Sequence, residues 1–161
     1  MQKFFQTTAI SVLAIGLFAA SASGETYDSE GKGMGMNTNE VYGISDGHAV
    51  VKTQTNYDSF EVPSGHPLEG ATGACFGALL INAGAASGTG NCVFDTASGD
   101  KAVLSWVAKG LGADGALTGD WTVSGGTGGW GTASGSGTFS SLTDPETKTF
   151  VNTITGSITM N

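Results

Sequence analysis

The chain has 161 residues and carries 14 carboxylates against six lysines, with no arginine, for a net charge of −8. Nucleic-acid backbones and anionic lipid surfaces are both bound by Lys and Arg, so this balance argues against either as a partner. The length is that of one domain, and 27 glycines spread through it exclude a helical bundle, since Gly in a helix interior costs about 1 kcal/mol against Ala.

At the N-terminus, Lys3 supplies a positive charge, an apolar run extends from Ala9 to Ala20, and Ala20-Ser21-Ala22 offers an A-x-A cleavage site. That order is what signal peptidase reads. A membrane-spanning helix needs about 20 apolar residues, and this run has only about a dozen. Residues 1–22 are therefore expected to be a cleavable signal peptide, which sends the chain to a secreted or periplasmic location. No Cys stands at the cleavage site to carry a lipid, the absence of Arg excludes a twin-Arg signal, and no later segment is apolar enough to span a bilayer.

Residues 23–39 are polar and Gly-rich, and their composition predicts a flexible N-terminal segment. The folded domain is expected over residues 40–161. Glu40–Ile44 and His48–Asn56 read as strands joined by Ser45-Asp46-Gly47. Next, Cys75–Asn82 and Gly90–Asp95 read as the arms of a hairpin with Ala83–Gly88 as its turn. A two-residue turn at Ala83-Gly84 would instead set position 75 opposite position 92. Cys75 and Cys92 are the only cysteines, and in an oxidising compartment an even pair reads first as a disulfide. Neither has the C-x-x-C spacing of a metal site or the basic neighbours of a reactive thiol.

Further along, Asp95 and Asp100 flank a Ser98-Gly99 turn with too few oxygens for calcium, so a capped turn is the expectation. Ala102–Ala108 and Ala116–Ser124 read as strands, with Trp121 on the face of Leu117 and Val123. Gly126–Gly131 formally matches G-x-G-x-x-G, but residues Thr132 to Gly137 cannot form the helix that a dinucleotide site requires next. Thr138–Leu142 resumes a strand, and Asp144-Pro145-Glu146-Thr147 reads as a type I turn. In the last strand, Phe150, Asn152, Ile154, Gly156, Ile158 and Met160 share one face, where Asn152 marks either a bulge or a polar group facing a cavity. The pattern as a whole predicts an all-β domain, an antiparallel meander closing into a small barrel of about eight strands.

The stretch Ser124–Gly137, SGGTGGWGTASGSG, resembles the GGTG-x-(aromatic)…(small)-x-G signature of the allene oxide cyclase-like barrels, a group that includes the dirigent proteins. The run Gly90-x-Cys92…Asp95…Gly99-Asp100 and the Trp106 strand are similar to secreted bacterial proteins with such barrels. The resemblance implies an eight-stranded antiparallel barrel with a largely apolar interior cavity. No catalytic or acidic pocket residue of those families finds a counterpart in this chain. Separately, Gly112–Gly119 is similar to a streptavidin-family hairpin, but Trp121 and Val123 stand where that family places a pocket Tyr and Ser.

Functionally, the first expectation is non-catalytic binding of a small apolar molecule. An isomerase or cyclase working inside the barrel, and a structural or surface-interaction module, are the alternatives. Trp106, Trp121, Trp130 and Asn152 are the candidate cavity residues, with simple core filling as the competing reading of the three tryptophans. His48 and His66 have no partner at a meaningful spacing, and no metal or cofactor is expected.

Overall fold

The computed structural model describes residues 24–161. The signal peptide and cleavage site expected at residues 1–22 lie outside the described residues. Ten strands make up most of the chain: β1 (Glu25–Asp28), β2 (Gly31–Asn37), β3 (Glu40–Ser45), β4 (His48–Glu61), β5 (Thr72–Asn82), β6 (Ala85–Asp95), β7 (Lys101–Leu111), β8 (Leu117–Gly126), β9 (Ser134–Thr143) and β10 (Thr149–Met160). Eight of them, in the order β10-β2-β4-β5-β6-β7-β8-β9, close on themselves through the pairing of β9 with β10. Every pairing is antiparallel, so the domain is a closed eight-stranded barrel, as the sequence predicts.

The N-terminal segment departs from expectation. Residues 25–37 are not a flexible lead-in but two strands, and β2 is a full stave between β10 and β4. Its sequence GKGMGMN alternates with a period of two, with glycine as the interior residue. A Cβ at Gly33 would stand 2.6 Å from the Tyr57 ring and 3.0 Å from that of Phe60, so those rings already occupy the space. Polar, glycine-rich composition resembles disorder until the atoms packed against each glycine are known. β3 continues the line of β2 beyond the start of β10, and among the described residues it pairs with β4 alone.

The β5–β6 connection is also shorter than the favoured reading. It is the two-residue turn Ala83-Gly84, with φ of 49° and 81°, rather than a loop from Ala83 to Gly88. Positive φ at both central positions gives a type I′ turn, whose twist matches the flanking strands. The Ala83 N–H donates to the Gly47 carbonyl at 2.9 Å, tying this turn to the neighbouring hairpin tip. The register then sets Cys75 directly opposite Cys92, and the two form a disulfide with Cα atoms 3.9 Å apart. Both cysteines face the barrel interior and are buried.

The interior is organised by aromatic rings lying over glycines of the adjacent strand. Trp106 is paired with Gly90, which is paired in turn with Gly77, and its indole lies across both. Trp121, directly opposite Trp106, leans the other way over Gly137, and Phe139 covers Gly119. The Trp121 indole N–H donates to the carbonyls of Thr138 (3.2 Å) and Thr155 (3.1 Å), which fixes its direction of lean. At another level Tyr57 packs on Phe60, Phe94 and Phe150, with ring centroids 5.3, 5.3 and 4.8 Å away. One end of the barrel is closed by Leu68 and Ala71, from the loop after β4, and by Trp130, from the 3₁₀ turn Gly128–Gly131; all three are buried.

Two outcomes test this packing. Gly90→Ala drives a methyl into the Trp106 indole and is expected to cost about 1–3 kcal/mol in chemical denaturation, as overpacking does. Replacing Cys75 and Cys92 together by Ala opens a loop with a sequence separation of 17; the expected loss, read by the same method, is about 3 kcal/mol.

Candidate functional site

The rings that hug the barrel wall leave a cavity of about 240 Å³ along the axis. Its apolar lining includes Leu79, Leu104, Trp106, Trp121, Phe139 and Ile154. Ser29, Leu68 and Ile158 line its closed end and are buried, whereas Asn39, Leu111 and Gly115 at the opposite end are exposed. The cavity therefore has one mouth, at the end carrying the β2–β3, β7–β8 and β9–β10 connections.

Polar groups in the wall fall into two sets. Near the mouth, Asn37 Nδ2 donates to Thr143 Oγ1 at 2.5 Å, and Thr55 Oγ1 donates to Asn37 Oδ1 at 2.7 Å. These three side chains satisfy one another as a collar. Deeper in the wall, Asn152 Nδ2 donates to Tyr57 Oη at 2.8 Å. Asn152 Oδ1 and Thr53 Oγ1 are buried with no hydrogen-bond partner, and among the described residues they are the two side-chain polar atoms in that condition. Burial pushes the Tyr57 phenol up to about 12, with the Asn152 bond pulling the other way, so Tyr57 is a neutral hydroxyl at physiological pH.

Of the residues singled out from sequence, Trp106, Trp121 and Asn152 do meet in the cavity wall. Asn152 is a polar group facing the cavity and not a bulge, since β10 pairs in unbroken register with both β2 and β9. Trp130 does not join them. Its 3₁₀ turn, closed by the Trp130 N–H to Thr127 carbonyl bond of 3.0 Å, carries the ring to the closed end, beside a groove on the outer surface. Strand periodicity places side chains only within a strand, and it ends before this turn.

Sequence reasoning missed Tyr57 and Phe60. The β4 alternation Thr53, Thr55, Tyr57 slips by one residue at Asp58 before Phe60 turns inward again, where the pairing with β2 shifts register. Following the alternation past Asn56 and allowing one bulge would have found both. The Asp95–Asp100 loop is a capped turn: Ser98 Oγ donates to Asp100 Oδ2 at 3.2 Å, and Lys101 pairs with Asp95. Among the described residues, no group of three or more His, Cys, Asp or Glu side chains is placed to hold a metal.

His66 has a partner that its sequence position concealed. Its Nε2 lies 3.1 Å from Ser29 Oγ, and both residues are buried at the closed end. The contact resembles a serine–histidine dyad, but its tautomer is wrong for one. The Leu68 backbone N–H donates to Nδ1 at 3.1 Å, so the imidazole proton sits on Nε2 and is donated to Ser29. An imidazole in that state cannot take the serine proton. The pair is a clamp joining the β1–β2 junction to the closing loop.

No protein-family model matches the chain, and no curated protein matches it. The structure contains a disulfide, and among the described residues no helix is long and apolar enough to cross a membrane; both features are compatible with an exported protein.

The clamp has a pH signature. Burial holds the His66 imidazole below its usual value, while the carboxylates of Asp28 and Glu69 pull it upward. The folded state thus binds its proton less readily than the unfolded chain, whose histidines titrate near about 6.5. The contribution is fully present above that pH and is lost as the pH falls from there through the folded-state value. Urea denaturation at pH 7.5, 6 and 5 is expected to show wild-type stability falling more steeply than that of His66→Asn, with the difference between them arising on the acidic side.

Proposed function

We propose that this is an exported carrier, secreted or periplasmic, that binds one small, predominantly apolar molecule in its barrel without transforming it. The observation behind the reading is the one-mouthed cavity of about 240 Å³ walled by leucine and aromatic side chains. A dry cavity of about 150 Å³ accommodates benzene, and ordinary ligand sites begin near about 300 Å³. The volume suits a molecule of one or two rings, or a short branched hydrocarbon. The acidic surface of the chain suits a soluble carrier and not a nucleic-acid or anionic-membrane binder.

The cavity chemistry favours binding over catalysis. Its lining includes no carboxylate, lysine or histidine, and Tyr57 is held far above neutral pH. General acid–base catalysis works best with a group that titrates near the operating pH. The resemblance to the allene oxide cyclase-like barrels supports this same architecture with an apolar interior. A surface-interaction role has its own supporting observation: Val41, Tyr42 and Ile44, on the free-edged strand β3, are 68, 55 and 58 % exposed.

Ser141→Trp places an indole in the cavity, directly across from Asn152, where it takes up the space of a ligand. Titration with indane, followed by tryptophan emission in the wild type and by calorimetry in both proteins, is expected to give saturable binding to the wild type only. Equal binding by both proteins would place the site elsewhere, and no binding by a folded wild type would sink the carrier reading.

A further inference from the structure

We propose that the molecule carried in the barrel bears a neutral hydroxyl group, received by Asn152 and Tyr57. This rests on the carrier reading and narrows it to a chemical class, a small apolar alcohol or phenol.

A buried polar atom without a partner destabilises a protein, and native interiors contain few of them. Here the two such side-chain atoms among the described residues, Asn152 Oδ1 and Thr53 Oγ1, both belong to residues lining one cavity. Asn152 is only 9 % exposed. The amide holds Tyr57 Oη through Nδ2, and its second polar atom is left over for another partner. A small number of polar groups in an otherwise apolar pocket is how such pockets fix the orientation of a ligand.

The two neighbouring groups specify what they receive. Asn152 commits its Nδ2 to Tyr57 and keeps an acceptor, Oδ1. Tyr57 Oη accepts that bond and keeps its own proton to donate, and its ring is held by Phe60, Phe94 and Phe150. An acceptor beside a donor is matched by a hydroxyl, which gives one hydrogen bond and takes one. A ketone or ether would satisfy Tyr57 and leave Asn152 unpaired. A primary carboxamide matches both groups but brings a further N–H for which Asn152 and Tyr57 have no acceptor left. A carboxylate would enter a lining that holds no cation, and its desolvation would go uncompensated.

The test compares indane, 2-indanol and indane-2-carboxylate on the mature protein by calorimetry, alongside the variants Asn152→Leu and Tyr57→Phe. In the wild type, 2-indanol is expected to bind at least about tenfold more tightly than indane, and the carboxylate more weakly than either. In Asn152→Leu that advantage should fall to about twofold or less while indane is still bound, with a lowered melting temperature because the buried Tyr57 Oη loses its hydrogen bond. Tyr57→Phe gives the same comparison if the leucine variant fails to fold. Indane and 2-indanol binding the wild type equally, or the carboxylate binding best, would overturn the hydroxyl assignment and leave the carrier reading standing. If none of the three binds the folded wild type, both fall together.

Discussion

The interlock between large rings and glycines is the constraint on which this barrel depends. An eight-stranded barrel is just wide enough for inward side chains to meet at its axis and fill it. Here Trp106, Trp121 and Phe139 do not point at the axis but lie sideways on Gly90, Gly137 and Gly119 of the next strand. Each ring replaces the side chain that its glycine lacks, so the wall is sealed while the centre stays open. The cavity is a by-product of this geometry: volume withheld from inward positions reappears along the axis.

The same device sets direction. Trp106 and Trp121 are direct cross-strand partners, yet they lean apart, one toward β5 and the other toward β10. Two indoles meeting over the axis would have plugged the barrel. The two backbone carbonyls that receive the Trp121 N–H hold one of them away. With Leu68, Ala71 and Trp130 closing one end, the site becomes a blind pocket, in which a ligand exchanges contact with water for contact with rings.

Much of this architecture was legible in the sequence. The β10 alternation from Phe150 to Met160, the antiparallel meander and the pairing of the two cysteines follow from period, turn residues and compartment. What escaped was information that exists only across strands. Gly31, Gly33 and Gly35 look like linker residues until β4 and the residue after it are seen to occupy their space, with the rings of Tyr57 and Phe60 over Gly33. Ala83 at positive φ is an unusual turn residue, so the composition of residues 83–88 points to a longer loop than the one formed. Trp106, Trp121 and Asn152 could be assigned to the interior from strand parity, but Trp130 comes after a turn where parity no longer applies. The Ser29–His66 clamp joins positions 37 residues apart in irregular segments, where no periodic signal links them.

The disulfide also bears on the order of events during folding. Cys75 and Cys92 point into the lumen and are only 8 and 7 % exposed, so a closed barrel hides both sulfurs from any oxidant too large to enter its mouth. Their strands form the most local pairing around them, a hairpin whose turn is two residues long. Such a hairpin can form in microseconds, well before the distant pairing of β10 with β2 shuts the barrel. The crosslink is thus best made on an open sheet, and barrel closure afterwards shields it from reduction. A chain that closes with its thiols still reduced would carry them inside, out of reach of any oxidant larger than the mouth.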